Sequence, residues 1–260
     1  MNFETALADA LHLNWAIPLA ALPPLPAGLR YDQGGGGEAQ GESHGYFSLV
    51  LLRQVGLHLR GASWLALSYP QVSARLCVRD AANTPSVLLL RQLVPGWVVP
   101  VGRLIGGQPL SAAVCDFPDG LPRARPPEAA ADAQAERVWR WRFSAGARLA
   151  VAVELGAAAG AAPGAQAWEE DVSFFRDRPN SYWRQGDALR RLASEPQATA
   201  VLPVRARLEQ TDWLETFLPF VPAAGWTAPH SAFLVPQVQA VFAFDSQREA
   251  PVAAPMAAAG

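Results

Sequence analysis

The chain contains no lysine; all 21 of its basic residues are arginine. No internal amine is therefore available to form a Schiff base, anchor pyridoxal phosphate or serve a phosphate-binding P-loop. Cysteine is nearly as scarce. Cys77 and Cys115 are the two, too few for a secreted disulfide framework and without the C-x-x-C spacing of a zinc site. Charged residues make up only 17% and nearly cancel, to a net −2, so nothing draws the chain to nucleic acid or to an anionic membrane. Long apolar runs are also missing. The stretch AIPLAALPPLPAGL is too short and too rich in proline to span a bilayer. The first residues lack a basic segment followed by an apolar one, so no secretory signal is expected and a cytoplasmic location is. The four histidines, His12, His44, His58 and His230, show no metal-binding spacing. They read as surface or hydrogen-bonded core residues, and neither a metal nor a cofactor is expected.

Hydrophobic residues are abundant, at 50%, enough to build a sizeable core. Residues 4–13 suggest a short amphipathic helix with Leu7, Ala10 and Leu11 on one side. The proline-rich stretch after it reads as extended chain, and QGGGGEAQGESHG as a loop. Strands are expected at 46–59, 71–80 and 86–94, with DAANTPS as a hairpin connection between the last two. Within 71–80, Val72, Ala74, Leu76 and Val78 face one way; Gln71, Ser73, Arg75, Cys77 and Arg79 face the other. RVWRWRFSAG and RLAVAVELG alternate as half-buried strands, and a linker leads from them to WEEDVSFFRDR, giving two hairpins in mid-chain. QGDALRRLA reads as a short helix and TDWLETFLP as another. QATAVLPVRARLE and PQVQAVFAFD close the chain as strands, with Pro203 marking an edge or bulge. The expected fold is mainly β with small helices, an α+β chain built as a β-sandwich or partly closed barrel. One domain is expected over 1–248, with a Pro/Ala-rich insertion near 118–136 and a disordered tail at 249–260.

The glycine-rich GRLIGGQPLSAA, residues 102–113, fits neither a dinucleotide-binding nor a Walker pattern and reads as a loop. No G-x-S-x-G elbow is present, and Cys77 falls inside a strand, as an inert buried thiol would. Trp139, Trp141, Trp183 and Trp213 have no basic surround and read as core rather than base-stacking platforms. Arginines within apolar strand or loop sequence remain: Arg53, Arg75, Arg91 and Arg103. Each either points to solvent or joins the others in one cavity, where a guanidinium grips a carboxylate bidentately. Arg75 is the best placed, because its face also carries Gln71 and Ser73.

GRLIGGQPL resembles the G-R-E-x-W-G-x-P-K motif of acetoacetate decarboxylases, keeping Gly102, Arg103, Gly107 and Pro109 at matching spacing. Leu104 stands at the glutamate position and Gly106 at the tryptophan. Leu110 stands at the lysine that forms the Schiff base. SYPQVSARLCV is similar to the strand that carries an active-site glutamate after a tyrosine; here Tyr69 is followed by Gln71, an amide. NWAIP, LPAGL, GYFSLV and YPQVSARLCV resemble elements of a bacterial family of the same superfamily, the domain-of-unknown-function family numbered 2071. The resemblance covers roughly residues 12–245. It implies an acetoacetate-decarboxylase-like β-barrel or sandwich with an internal pocket, disarmed for imine chemistry. It also implies a small anionic ligand, an organic or keto acid. Arg75 and Arg103 would hold it, with Gln71 and Ser73 hydrogen-bonding it and Tyr69 and Leu110 lining the pocket. Two other readings stay open: an enzyme of different mechanism using Asp116 or Glu154 as acid/base, or a protein-interaction module acting through 123–135 and 249–260.

Overall fold

A computed structural model describes residues 2–34, 43–118, 138–155, 165–198, 200–219, 221, 226 and 229–244. Most of the glycine-rich loop, the Pro/Ala-rich insertion and the tail therefore lie outside the described residues. The elements run in the order β1 (Asn2–Pro18), β2 (Arg30–Tyr31), β3 (His44–Leu59), β4 (Leu67–Arg79), β5 (Pro85–Val94) and α1 (Val98–Gly106). The short β6 (Leu110–Ala112) and β7 (Val114–Asp116) precede β8 (Val138–Ala145), β9 (Ala147–Leu155) and α2 (Ala165–Arg176). Last come β10 (Asn180–Gln185), β11 (Ala188–Ala198), β12 (Leu202–Gln210), α3 (Asp212–Phe217) and β13 (Ser231–Phe244). None of the described helices is long and apolar enough to cross a membrane.

The strand pairing closes on itself. It runs β1-β3-β4-β5-β10-β11-β13, and β13 pairs back with β1. From β13 the sheet continues through β12, β9, β8 and β7. Pro203 sits where β12 leaves β13, at the pair Pro203–Phe233, and joins β9 from Val204 onward. A residue with no backbone N–H suits a step at which the ladder changes partner.

The outer face of the ring packs on this second layer. Leu11, Leu13, Trp15, Phe47, Leu49, Leu51, Val72, Ala74, Leu76 and Val78 form one core with Trp141, Phe143, Val151, Val153, Trp213 and Leu214. The alternation expected in β4 is therefore the alternation observed. Trp141, Trp183 and Trp213 are all buried, as core residues would be.

Four expected elements differ. Residues 4–13 belong to the strand β1, not to a helix, because pairing with β3 on one side and β13 on the other overrides local propensity. The pairing breaks between Ala8 and Leu11, where Asp9 takes a φ of 54°. Such a bulge flips the side-chain parity, so Phe3 and Leu7 share a face with Ala10 and His12. The result imitates helical spacing in the sequence. QGDALRRLA is likewise not a helix but the tight hairpin of β10 and β11, turned at Gly186 with φ 61°. WEEDVSFFR lies in helix α2 rather than in a hairpin strand, with Val172 and Phe175 buried three residues apart.

GRLIGGQPL is not a loop either. Its first half is the end of α1, closed by Gly107 in the left-handed conformation at φ 59°. Gly102 packs closely on Leu110, since a Cβ there would meet Leu110 Cδ1 unless that side chain turned aside. Gly102→Ala therefore gains helix propensity of about 1 kcal/mol but overpacks the Leu110 contact by about 1–3 kcal/mol. A lower denaturant midpoint is expected for this variant, since Leu110 must shift into the space beside it.

Candidate functional site

All seven ring strands line one internal cavity of about 560 Å³. Its walls include Phe3, Leu7, Val50, Leu52, Val235 and Val238, together with Val101 and Ile105 from α1. Five of the six residues singled out from the sequence meet there: Tyr69, Gln71, Ser73, Arg75 and Leu110. Arg103 does not. It is exposed on α1, and its guanidinium reaches back to the carbonyl of Leu110 at 3.4 Å. Arg53 and Arg91 are engaged elsewhere, Arg53 with the carbonyls of Phe117 and Pro118 and Arg91 over the ring of Phe217.

Three arginines line the cavity, Arg75, Arg176 and Arg178, and among the described residues Arg75 is the one without a carboxylate partner. Its Nη2 donates to the carbonyl of Phe175 at 3.0 Å, near the C-terminal end of α2, and lies 3.3 Å from His12 Nδ1. Its Nε is buried with no hydrogen-bond partner. The helix terminus supplies a partial negative charge, but no described carboxylate pairs with Arg75. The nearby anions are taken: Asp32 pairs with Arg178 at 3.1 Å and Arg79 at 3.0 Å, and Asp177 pairs with Arg176 at 2.7 Å. Burial lowers the pKa of Arg75 to about 10, leaving it a cation at neutral pH. A buried cation without a counter-anion is costly.

His12 was not singled out from the sequence, because nothing local distinguished it from a core histidine. Only the parity flip at Asp9 turns it inward. Burial first, then the positive charges of Arg75 and Arg176, push its pKa well below 6.5, so it is neutral. Accepting from Arg75 at Nδ1 leaves its Nε2–H as a donor. Its ring stacks on Phe233 at 4.4 Å. Because the folded pKa lies below the unfolded one, the unfolded chain binds the proton first as pH falls through 6.5. Stability should therefore drop below pH 6.5, by up to about 1.4 kcal/mol per pH unit. Thermal melts from pH 8 to 5 should show that slope in the wild type and a shallower one in His12→Asn.

A chain of side-chain hydrogen bonds runs along the same wall. Thr5 Oγ1 donates to Gln54 Oε1 at 2.9 Å, Gln54 Nε2 to Gln71 Oε1 at 3.4 Å, and Gln71 Nε2 to Ser73 Oγ at 2.9 Å. Ser73 Oγ accepts at the end of this row and keeps its own proton to donate. Gln92, paired with Ser73 across β4 and β5, has a buried Oε1 with no partner. Neither Gln54 nor Gln92 was picked out from the sequence, although the β4 alternation that flagged Gln71 extends to them through strand pairing.

No carboxylate is among the described cavity-lining residues. Asp116 is exposed, 3.8 Å from Arg142, and Glu154 lies on β9 opposite Arg205, so neither expected acid/base reaches this cavity.

No family model and no curated protein matches the sequence. Solved structures do match its shape. The enduracididine biosynthesis enzyme MppR superposes with a TM-score of 0.60 at 12% identity, over 93% of this chain and 85% of MppR. Its complex with pyruvate gives 0.57 at 12%, over 93% and 88%. Acetoacetate decarboxylase from Legionella pneumophila gives 0.58 at 9%, over 95% and 88%. An acetoacetate decarboxylase-like enzyme from Sphingomonas wittichii RW1 gives 0.54 at 13%, over 93% and 90%. With a closed ring of strands, a second layer packed outside it and these structural relatives, the chain has the acetoacetate-decarboxylase-like fold.

Proposed function

We propose that this protein binds a small organic or keto acid inside the ring, without imine chemistry, and that Arg75 receives its carboxylate. The observation that carries this reading is the buried Arg75 guanidinium, with its Nε unpartnered and no described carboxylate beside it. The groups around it are donors as well: the Ser73 hydroxyl and the His12 Nε2–H. A carboxylate accepts from all three kinds of donor and supplies the missing charge. Leu110, in the place that the resemblance gives to the Schiff-base lysine, lines the same cavity and offers no nucleophile. The pyruvate complex of MppR, a protein of similar fold, is in keeping with an acid ligand.

Calorimetric titration with hexanoate and with hexanamide tests this. The acid should bind and raise the melting temperature. The amide, equal in size but uncharged, should bind about thirtyfold more weakly or not at all. Equal binding of the two would remove the role given to Arg75.

A further inference from the structure

The cavity is most polar at one end and mainly apolar toward the other. Leu67, Tyr69, Gln71, Ser73 and Arg75 alternate inward along β4, eight residue steps from first to last. That run spans about 27 Å. Arg75 and His12 mark the end under α2, where Phe175 contributes its carbonyl. Past the polar row, the walls are mainly Leu57, Leu59, Leu65 and Leu67 with Val101, Ile105, Phe242 and Phe244, joined by His58 and Gln108. Four of these are also partly open to solvent: Leu65 at 56%, Ile105 at 42%, Leu59 at 40% and Val101 at 38%. They mark an apolar mouth between β3, the turn before β4, and α1.

A two- or three-carbon acid held at Arg75 leaves this apolar length uncovered. We infer that the ligand is a medium-chain monocarboxylic acid, its carboxylate on Arg75 and its unbranched apolar tail running along β4 toward Leu65 and Ile105. The inference rests on the carboxylate reading above and adds the tail. Each buried methylene contributes hydrophobic transfer energy equivalent to about three- to fourfold in affinity.

Calorimetric titration of the full chain with butanoate, hexanoate, octanoate and decanoate tests it. Affinity should rise about three- to fourfold per methylene across the series. Ile105→Asn, a change at the partly exposed mouth, should weaken decanoate and leave butanoate unchanged. If butanoate binds and the longer acids bind no better, the tail is wrong while the carboxylate reading stands. If Ile105→Asn weakens butanoate and decanoate alike, the tail does not reach the mouth and the inference falls. If none of the four binds, both readings fall.

Discussion

Arg75→Met should abolish carboxylate binding without lowering the melting temperature of the free protein. The two halves of that expectation come from one cause. In the unliganded protein the guanidinium is held away from bulk water, with a carbonyl and a neutral imidazole as partners and its Nε unsatisfied. Removing it loses two hydrogen bonds, each about 0.5–1.5 kcal/mol net. It also relieves the desolvation of a charge with no counter-anion, an effective penalty of several kcal/mol. Methionine fills much of the same volume with apolar atoms. With ligand present the balance reverses, because the carboxylate loses its partner in a water-poor cavity. That costs about 2–5 kcal/mol, or about thirtyfold and more in affinity. Parallel thermal melts and hexanoate titrations check both halves. A variant that melts far below the wild type would show Arg75 to be structural, and one that still binds hexanoate would place the carboxylate elsewhere.

Leu110→Lys should convert a protein inert to ketones into one that forms a trappable imine. Leu110 is buried at the start of β6, packed with Val94 and Val98 and against Gly102, and it lines the cavity. A lysine there would be desolvated, which favours its neutral form and lowers its pKa by several units. The free amine would add to the keto carbon of acetoacetate and expel water to give an imine, which borohydride reduces to a stable secondary amine. The sequence has no lysine of its own, so an adduct at residue 110 has no competing side-chain amine. Peptide mass mapping after borohydride should find the adduct at residue 110 in the variant and none there in the wild type. Stability should fall by several kcal/mol, since a leucine in contact with the core is exchanged for an amine. A folded variant without an adduct would mean that residue 110 does not stand where an imine-forming amine must.

Much of this cavity wall was legible in the sequence, for a physical reason. On a straight strand the alternation of side chains is strict, so Tyr69, Gln71, Ser73 and Arg75 had to share a face opposite Val72, Ala74 and Leu76. Arg103 was misplaced because its neighbourhood, apolar and rich in glycine, suggested a loop near the pocket. The chain there is a helix whose glycines serve the Leu110 contact and the left-handed cap. His12 stayed hidden because a bulge at Asp9 breaks the period that would have revealed it, and that bulge depends on pairing with a strand more than forty residues away. The hairpin at Gly186 was missed for a related reason. Its arginines and alanines favour helix locally, and only the pairing of β10 and β11 with each other, of β10 with β5 and of β11 with β13 makes them strands.

Carboxylate recognition turns on one side chain, and NMR of arginine Nε–H groups reads it directly. In isotope-labelled wild type, the Arg75 Nε–H signal is assigned by its absence from Arg75→Met. On titration with hexanoate that signal should shift progressively to saturation, because the Nε–H is buried and without a partner until a carboxylate arrives. An Arg75 signal that stays fixed while hexanoate binds would contradict the account.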